Sequence, residues 1–293
     1  MEKKLVDWLL FVVLSIIWGS SFILMKIGLN NHLSPYQVAA IRIVSSGIVL
    51  LPIAIGAFKK IPPAKIKLVF LSGMLGSLLP AFLFCIAENG IDSSLAGMLN
   101  ALTPVFVIVI GAVFFKASTG SNKITGTAIA FAGSVLLVLS KGGMQESNHL
   151  LYVSFVILAT IMYAVNLNMV TKYLSDIPSL QITAVALTLN AIPALIILIA
   201  TGFFSLPFKQ HELMVATAAS VVLGIGGTAI ATFLFYALVK RAGGLFASMV
   251  TYGIPFIAVA WGVYFKEKFE WPQVACLLII LSGVYLANRK VSI

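Results

Sequence analysis

Long apolar stretches alternate with short polar connections along the whole chain. Each stretch is close to the roughly 20 residues that a helix needs to cross a hydrocarbon core of about 30 Å. The stretches are continuously apolar, whereas the strands of a membrane barrel alternate apolar and polar residues over about ten positions. The pattern therefore predicts an all-α polytopic membrane protein with ten transmembrane helices, at residues 5–29, 35–58, 68–87, 94–115, 124–139, 150–170, 180–201, 213–239, 245–265 and 272–286.

The composition excludes a large water-soluble domain. Hydrophobic residues make up 60% of the 293 residues and charged residues 10%, whereas soluble domains contain roughly 45–50% and about 25%. The net charge is +10, but the basic side chains border the apolar stretches, as topology signals do. We therefore expect a lipid bilayer around the chain and no nucleic acid as a partner.

Lysine and arginine are distributed unevenly between the two sets of alternating connections. Positively charged flanks are retained on the cytoplasmic side of a membrane. The set that includes both chain ends carries thirteen of them, at Lys3, Lys4, Lys59, Lys60, Lys65, Lys67, Lys116, Lys123, Lys172, Lys240, Arg241, Arg289 and Lys290. The other set carries four, at Lys141, Lys209, Lys266 and Lys268. We expect both termini to be cytoplasmic.

Two parts of the sequence repeat each other at an offset of 151 residues. Ten identities fall within 42 positions, and they match Gly73, Gly76, Phe82, Leu83, Phe84, Ala96, Met98, Pro104, Gly111 and Phe114 to Gly224, Gly227, Phe233, Leu234, Phe235, Ala247, Met249, Pro255, Gly262 and Phe265. Matched glycines and prolines constrain the backbone, which argues against the alternative of a coincidence among apolar residues. We predict two five-helix units, residues 1–143 and 144–293.

An odd number of spans in each unit makes the second unit face the opposite way through the membrane. Inverted repeats recur in secondary transporters, whose two halves exchange conformations around a central site. Pro104 and Pro255 are predicted inside spans four and nine, where each removes a helical hydrogen bond and permits a bend. A gate hinge and a static kink are the alternatives for both prolines.

The predicted spans contain no group of catalytic or metal-binding residues. All nine acidic residues and all three histidines fall in connections or at span ends, so no acid, base or activated nucleophile is placed at membrane depth. The two cysteines, Cys85 and Cys276, lie within apolar runs and are expected to pack rather than to form a disulfide. We expect no enzyme activity, no metal site and no cofactor. The lack of a buried acid also argues against proton-coupled export of cations.

Lys26 and Arg42 are the two charged residues predicted at membrane depth. A cation near the middle of a span costs roughly 2.5–3.5 kcal/mol on insertion scales and rarely faces lipid. Lys26 shares a helical stripe with Phe22, and Arg42 lies near Ser46. We predict that both cations border a path for a carboxylate or a phosphate, which arginine binds through two parallel hydrogen bonds. The alternatives are that Lys26 extends to the outer interface and that Arg42 pairs with Glu88 or with helix-end carbonyls.

Aromatic, amide and hydroxyl side chains at membrane depth complete the predicted site, because such groups need partners away from lipid. The substrate-binding residues are predicted to be Trp18, Phe22, Lys26, Arg42, Asn100, Tyr163, Asn166 and Tyr252. Further interior candidates are Asn190, Thr228 and Thr232. Trp18 and Tyr163 occupy equivalent places in spans one and six, at an offset of 145 residues, so we expect them to face each other. Packing between helices is the alternative for each residue.

Several short motifs are weak singly but specific in their order and spacing. They are WGSSF at residues 18–22 with Lys26, IR at 41–42, LTPVF at 102–106, GIPF at 253–256, and Gly126, Gly133, Glu267 and Gly283. With these motifs, nearly the whole chain resembles the drug/metabolite transporter superfamily, in particular the ten-helix EamA-type permeases. The resemblance implies a carrier of the bacterial inner membrane, often an exporter of amino acids or related metabolites. The family usually has Glu after the fourth span, where this chain has Lys116.

These observations predict a secondary transporter that moves a small anionic or zwitterionic metabolite, such as an amino acid, by alternating access. The alternatives are a lipid or polyprenyl-phosphate flippase and a membrane scaffold that transports nothing. The transporter is expected to be an exporter or a facilitator, and because the spans are predicted to contain no buried acid, it is expected to be uncoupled or to exchange solutes. The alternative is coupling through protonation of the substrate or of a lysine. The expected partners are a small-molecule metabolite and the lipid bilayer, with the chain acting as a monomer or a homodimer.

Overall fold

The computed structural model describes residues 2–116, 121–140, 149–266 and 271–288. Within these ranges the chain is helical with short turns and contains no strand. Ten helices in this part of the chain are numbered α1 to α10 in order. Their bounds are Glu2–Asn30, Pro35–Phe58, Pro63–Glu88, Ser93–Phe115, Ser121–Ser140, His149–Tyr173, Ser179–Ala200, His211–Ala242, Gly244–Tyr264 and Trp271–Asn288.

Each predicted apolar stretch falls on one of these helices. Eight helices of the described chain are long and apolar enough to cross a membrane, and α5 and α10 contain the shorter apolar segments Ile124–Leu137 and Trp271–Gly283. These two helices correspond to the two shortest predicted apolar stretches, residues 124–139 and 272–286. The predicted fold class, an all-helical polytopic membrane protein, is confirmed.

The start of α2 shows how local sequence sets a helix boundary. Ser34 Oγ accepts a hydrogen bond from the backbone N–H of Gln37 at 3.2 Å, and Gln37 Oε1 accepts one from the backbone N–H of Ser34 at 2.9 Å. This reciprocal capping satisfies backbone N–H groups that have no partner within the helix. Pro35 follows in the first turn, where a missing N–H is harmless. The helix therefore begins at the residue that the apolar pattern predicts.

Two helices contain wider, π-helical segments at matching places. These segments are Met74–Leu78 in α3 and Leu223–Ile230 in α8. The 151-residue offset of the sequence repeat places residues 74–78 opposite 225–229, which lie inside the second segment. Single π-helical turns within α-helices are frequent at functional sites. The two segments therefore mark a candidate site between the halves.

The interruption of α4 changes the prediction for one of the two prolines. α4 is interrupted after Asn100 and resumes as Thr103–Phe115, so Pro104 lies in the first turn of a new helical segment. Pro104 therefore lies inside span four, as predicted, but a proline in a first turn removes no helical hydrogen bond, so the predicted loss of one at Pro104 is wrong. α9 is also interrupted near its start, but Pro255 lies inside the segment Val250–Tyr264, as predicted.

The helices pack in a pattern that stays the same when each helix of the first half is exchanged with its counterpart in the second half. The exchange replaces α1 by α6, α2 by α7 and so on to α5 by α10. α2 packs against α7, and α5 packs against α10. α1 packs against α9 as α6 packs against α4, and α3 packs against α6 as α8 packs against α1. The predicted boundary between residues 143 and 144 lies outside the described residues. All six of these interfaces join one half of the chain to the other.

Glycines allow the helices of two pairs, α2 with α7 and α5 with α10, to approach closely. A Cβ atom at Gly47 of α2 would lie 2.5 Å from Ala191 Cβ of α7. A Cβ atom at Gly283 of α10 would overlap the backbone N of Ala130 in α5. Since real Cβ atoms do not tolerate such contacts, the backbone separations at these crossings depend on glycine.

Two ion pairs join the halves at helix ends that the charge pattern predicts to be cytoplasmic. Lys65 at the start of α3 lies 2.5 Å from the carboxylate of Asp176, and Arg241 at the end of α8 lies 2.8 Å from that of Asp7 in α1. The hydrogen bond from Lys65 lowers the pKa of Asp176. Because one partner of each pair, Asp176 or Arg241, is exposed, we expect these pairs to contribute little to stability.

Candidate functional site

A cavity of about 80 Å³ lies among helices of both halves. Its walls come from α1, α2, α3, α4, α6, α8 and α9, and the volume has room for several water molecules. The lining includes residues of both π-helical segments and residues next to the interruptions of α4 and α9. Six of the eight predicted substrate-binding residues line it, namely Trp18, Phe22, Arg42, Asn100, Tyr163 and Asn166.

Arg42 is the one charged side chain among the lining residues that the structure describes. It is 7% exposed, its Nε donates a hydrogen bond to Thr228 Oγ1 at 2.6 Å, and its Nη1 lies 3.8 Å from Met25 Sδ. A guanidinium has five N–H groups, so three have no partner in the described chain. The partners of Arg42 are the hydroxyl of Thr228 and the thioether of Met25. The pair with Glu88, which the sequence offers as an alternative, is not among the hydrogen bonds of Arg42 in the described chain.

Lys26 and Tyr252 do not belong to the lining, although the sequence predicts both there. Lys26 Nζ donates hydrogen bonds to the backbone carbonyls of Glu88 at 2.8 Å and Ile91 at 3.3 Å, at the end of α3. The last carbonyls of a helix have no partner within it and carry partial negative charge. Lys26 therefore caps the end of α3. Tyr252 is partly buried and packs against the apolar core.

Aromatic rings form part of the cavity wall. The rings of Phe84 and Tyr163 are stacked with centroids 6.0 Å apart, and Phe22 meets Phe84 edge-on at 5.6 Å. Trp18 lies 5.0 Å from the ring of Phe235. Trp18 and Tyr163 thus reach one cavity from equivalent helices. Apolar faces beside a guanidinium suit a ligand that has both an apolar part and an anionic group.

The two π-helical segments meet α1 and α6 through glycine. Trp18 Nε1 donates a hydrogen bond to the carbonyl of Gly227 at 3.0 Å, and a Cβ atom at Gly227 would lie 2.7 Å from Ser21 Oγ. In the other half, a Cβ atom at Gly76 would overlap Asn166 Nδ2. Ser21 and Asn166 are equivalent at the 145-residue offset. The same close contact therefore occurs on both sides of the cavity.

A small polar network lies beside the close contact between Gly76 and Asn166. Asn166 Nδ2 donates a hydrogen bond to Tyr236 Oη at 3.1 Å, and Tyr236 Oη shares another with Ser72 Oγ at 2.9 Å. Asn166 Oδ1 is buried and has no donor among the described residues. A buried acceptor without a donor costs about 1–3 kcal/mol. A ligand N–H that reached this oxygen would remove that cost.

Several lining hydroxyls use their single O–H within their own helices. Each donates to a backbone carbonyl three or four residues earlier, at 2.7–2.9 Å. A hydroxyl has one donor and two lone pairs, so these side chains offer the cavity acceptors and no donor. The residues are Ser21, Thr103, Ser248 and Thr251.

Several lining residues are not among those predicted from the sequence, although the 151-residue repeat points to some of them. Thr251 lies 151 residues after Asn100, and Phe235 lies 151 residues after Phe84, so the offset links each to a lining residue of the first half. Tyr236 corresponds to Cys85 at that offset. Nothing in the apolar pattern distinguishes Tyr236 from a tyrosine that only packs, because its role depends on contacts with other helices.

The lining offers binding rather than acid or base chemistry. In the ranges that the structure covers, no three His, Cys, Asp or Glu side chains are grouped as a metal site would require. The described lining contains no carboxylate and no histidine. The expectation that the spans hold no buried acid is wrong for Glu88, which is fully buried at the end of α3, where its carboxylate accepts a hydrogen bond from Ser93 Oγ at 3.0 Å. What the lining contains is one guanidinium, several neutral acceptors and aromatic faces.

The positions at which family motifs place acidic residues are only partly described. Lys116, with a φ of 58°, ends α4, and its backbone N–H donates to the carbonyl of Gly111. Glu267 lies outside the described residues. Of these two positions, the structure therefore describes only Lys116, at the end of α4.

The model of the EamA-like transporter family matches this chain twice, over residues 7–139 and 150–289. The chain is also 24% identical over 288 residues to an uncharacterized transporter of Archaeoglobus fulgidus, covering 97% of this chain and 99% of that protein. It is 25% identical over 290 residues to a probable terminal-alkyne amino-acid exporter of Streptantibioticus cattleyicolor, covering 95% of this chain and 92% of that one.

A solved structure shares the fold. A crystallised protein that is 14% identical superposes with a TM-score of 0.66, and the superposition covers 96% of both chains. The arrangement of helices over nearly the whole chain is therefore one that has been observed by crystallography.

Proposed function

This chain belongs to the EamA-like transporter family of the drug/metabolite transporter superfamily, and from that premise we propose what it carries and how. It is a multi-pass membrane transporter and not an enzyme. Its solute is a small metabolite with a carboxylate, such as an amino acid. The solute crosses the membrane through the central cavity, which opens to the two sides in turn.

Arg42 is the observation that carries this proposal. It is buried in the cavity wall, and three of its N–H groups have no partner in the described chain. Placing a cation in the membrane interior is costly unless it serves a function or is paired. A carboxylate fits the free N–H groups of a guanidinium in bidentate geometry. The aromatic faces of Trp18 and Tyr163 then contact the apolar part of the solute.

The name of one relative supports an amino acid as the solute. The Streptantibioticus protein is described as a probable exporter of a terminal-alkyne amino acid. Such a solute combines a carboxylate with a short apolar side chain. A cavity with one guanidinium and several aromatic rings is suited to that combination.

Alternating access is supported by the packing of the helices. The pattern of contacts is preserved when α1 to α5 are exchanged with α6 to α10, as expected for two inverted units, residues 1–143 and 144–293. Two units of this kind can exchange conformations around the site between them. The carrier lies in the inner membrane with both termini in the cytoplasm, as its basic connections favour.

The described lining also bears on energy coupling. Proton-coupled carriers use a carboxylate or histidine that is protonated and released during the cycle. Neither group is present among the lining residues that the structure describes. The protein therefore acts as a facilitator or as a solute exchanger.

Flux into proteoliposomes tests the proposal. A screen of radiolabelled amino acids and organic acids identifies the solute that the wild type carries fastest. Arg42→Gln is expected to lower that flux by about tenfold to a hundredfold, because charge-assisted hydrogen bonds contribute about 1.5–3 kcal/mol. Arg241→Gln is the matched control, since this arginine pairs with Asp7 at a helix end outside the cavity.

Three results would contradict parts of this proposal. Wild-type flux by folded Arg42→Gln protein would contradict the role of Arg42. Loss of flux when the proton gradient is collapsed would contradict the proposed coupling. Movement of labelled lipid between leaflets without any solute flux would favour a flippase.

A further inference from the structure

The cavity offers both charged hydrogen-bond donors and lone-pair acceptors. Arg42 supplies the charged donors, whereas Ser21, Thr103, Ser248 and Thr251 use their O–H groups within their own helices and offer only lone pairs. An anion alone would use the donors and leave these acceptors without partners. A solute with its own N–H donors would use both sets.

Asn166 is the acceptor best placed to choose between such solutes. Its side chain is 4% exposed and lines the cavity, and its Nδ2 is held by Tyr236 Oη. Tyr236 is held in turn by Ser72. With Nδ2 held in this way, Oδ1 is the end of the amide that has no donor in the described chain.

We propose that Asn166, supported by the lining hydroxyls, binds the ammonium group of the solute and makes the carrier prefer an amino acid over the same carbon skeleton without its amino group. This inference rests on the proposed function and adds a specificity-determining residue to it. An ammonium group has three N–H donors and needs several acceptors at once. Neutral acceptors suffice for the ammonium group, because the solute's own carboxylate, bound at Arg42, balances the positive charge.

Two other asparagines provide matched controls. Asn168 lies two residues further along α6, and its Nδ2 donates to the carbonyls of Val107 and Ala164. Asn190 of α7 also has a buried Oδ1 without a donor in the described chain. Neither residue lines the cavity. Leucine at these positions removes an amide of the same size without changing the proposed ammonium site.

The experiment compares three solutes in the same proteoliposomes. They are the amino acid carried fastest in the screen, its deaminated acid and its decarboxylated amine. The wild type is expected to favour the amino acid over the deaminated acid by at least about tenfold, since a hydrogen bond to a charged group is strong. Asn166→Leu is expected to reduce this ratio to near one, mainly by slowing the amino acid. Asn168→Leu and Asn190→Leu are expected to keep the wild-type ratio.

A second substitution keeps the test decisive if the leucine variant does not fold. Asn166→Asp preserves the size of the side chain and adds a negative charge, so it is expected to raise flux of the decarboxylated amine by about tenfold. An unchanged solute ratio in folded Asn166→Leu, or unchanged amine flux in folded Asn166→Asp, would overturn the inference while the proposed function stands. If the wild type carries neither the amino acid nor the deaminated acid, both proposals are wrong.

Discussion

Lys26 and Arg42 show that two cations in neighbouring helices can serve different purposes. Both are predicted at membrane depth, and the sequence gives no reason to separate them. Lys26 satisfies the carbonyls of Glu88, at the end of α3, and of Ile91, in the turn that follows, whereas Arg42 has three N–H groups without a partner in the described chain. The difference lies in which helix ends and side chains surround each residue. On this basis we propose that Lys26 serves stability and that Arg42 binds the solute.

Lys26→Met tests the first assignment. The substitution keeps a long apolar side chain but leaves the carbonyls of Glu88 and Ile91 without their donor. Because unsatisfied buried carbonyls are costly, we expect a loss of about 1–3 kcal/mol in stability. Thermal unfolding of the purified protein in detergent measures this loss.

The control for Lys26→Met is Lys67→Met, because Lys67 is exposed at the start of α3. We expect folded Lys26→Met protein to retain its flux for each molecule, as the lysine does not line the cavity. Normal stability together with lost transport would mean that Lys26 contacts the solute after all.

The π-helical segments are the elements that join the cavity to the interface between the halves. The segment in α8 supplies Gly227 to Trp18 and Thr228 to Arg42. One turn earlier, Gly224 approaches the backbone of α2 at Arg42 itself. The position of Arg42 in the cavity wall thus depends on how closely α8 packs against α2.

Gly224→Ala and Gly226→Ala form a matched pair within this segment. A Cβ atom at Gly224 would overlap the carbonyl oxygen of Arg42, whereas a Cβ atom at Gly226 has nothing within 4 Å. We expect Gly224→Ala to destabilise the protein by about 1–3 kcal/mol and to lower transport, because the helices must separate. Gly226→Ala is expected to be neutral or slightly stabilising, since alanine is the better helix former.

The comparison is made by thermal unfolding and by flux at saturating solute. Equal stability and flux in the two glycine variants would show that close approach at Gly224 does not matter. Loss of function in Gly226→Ala alone would point instead to flexibility of the segment.

At the scale of the whole molecule, the sequence predicts the fold far better than the site. Ten apolar stretches give ten helices, because the bilayer imposes both the length and the helical conformation. Six of the eight predicted binding residues line the cavity, since polar groups in apolar runs avoid lipid. The exceptions follow from tertiary structure. Lys26 reaches the end of another helix, and Tyr252 packs against the apolar core. Tyr236, which the sequence does not predict, lines the cavity because α8 packs beside Asn166.

The two halves of the molecule share their packing but differ in their polar groups. Asn166 on one side corresponds to Ser21 on the other, and Arg42 corresponds to Leu187 at the same 145-residue offset. The backbone arrangement is thus close to twofold, as exchange of conformations requires. The chemistry of the cavity is one-sided, which gives the solute a single preferred orientation.

Access to the cavity from the two sides of the membrane tests the central claim most directly. Ser21→Cys places a thiol of similar size in the lining, and the native Cys85 and Cys276 are buried. Ser46→Cys is the control, because Ser46 is fully buried outside the lining. Membrane-impermeant maleimide is applied separately to right-side-out and inside-out vesicles, with and without the carried amino acid.

We predict that Ser21→Cys is modified from both sides and that the solute slows modification at least severalfold, whereas Ser46→Cys stays unmodified. Protection by the solute should be lost when Arg42→Gln is added. A thiol at position 21 that reacts from neither side, or that reacts from one side at a rate the solute does not change, would contradict a carrier with a central alternating site.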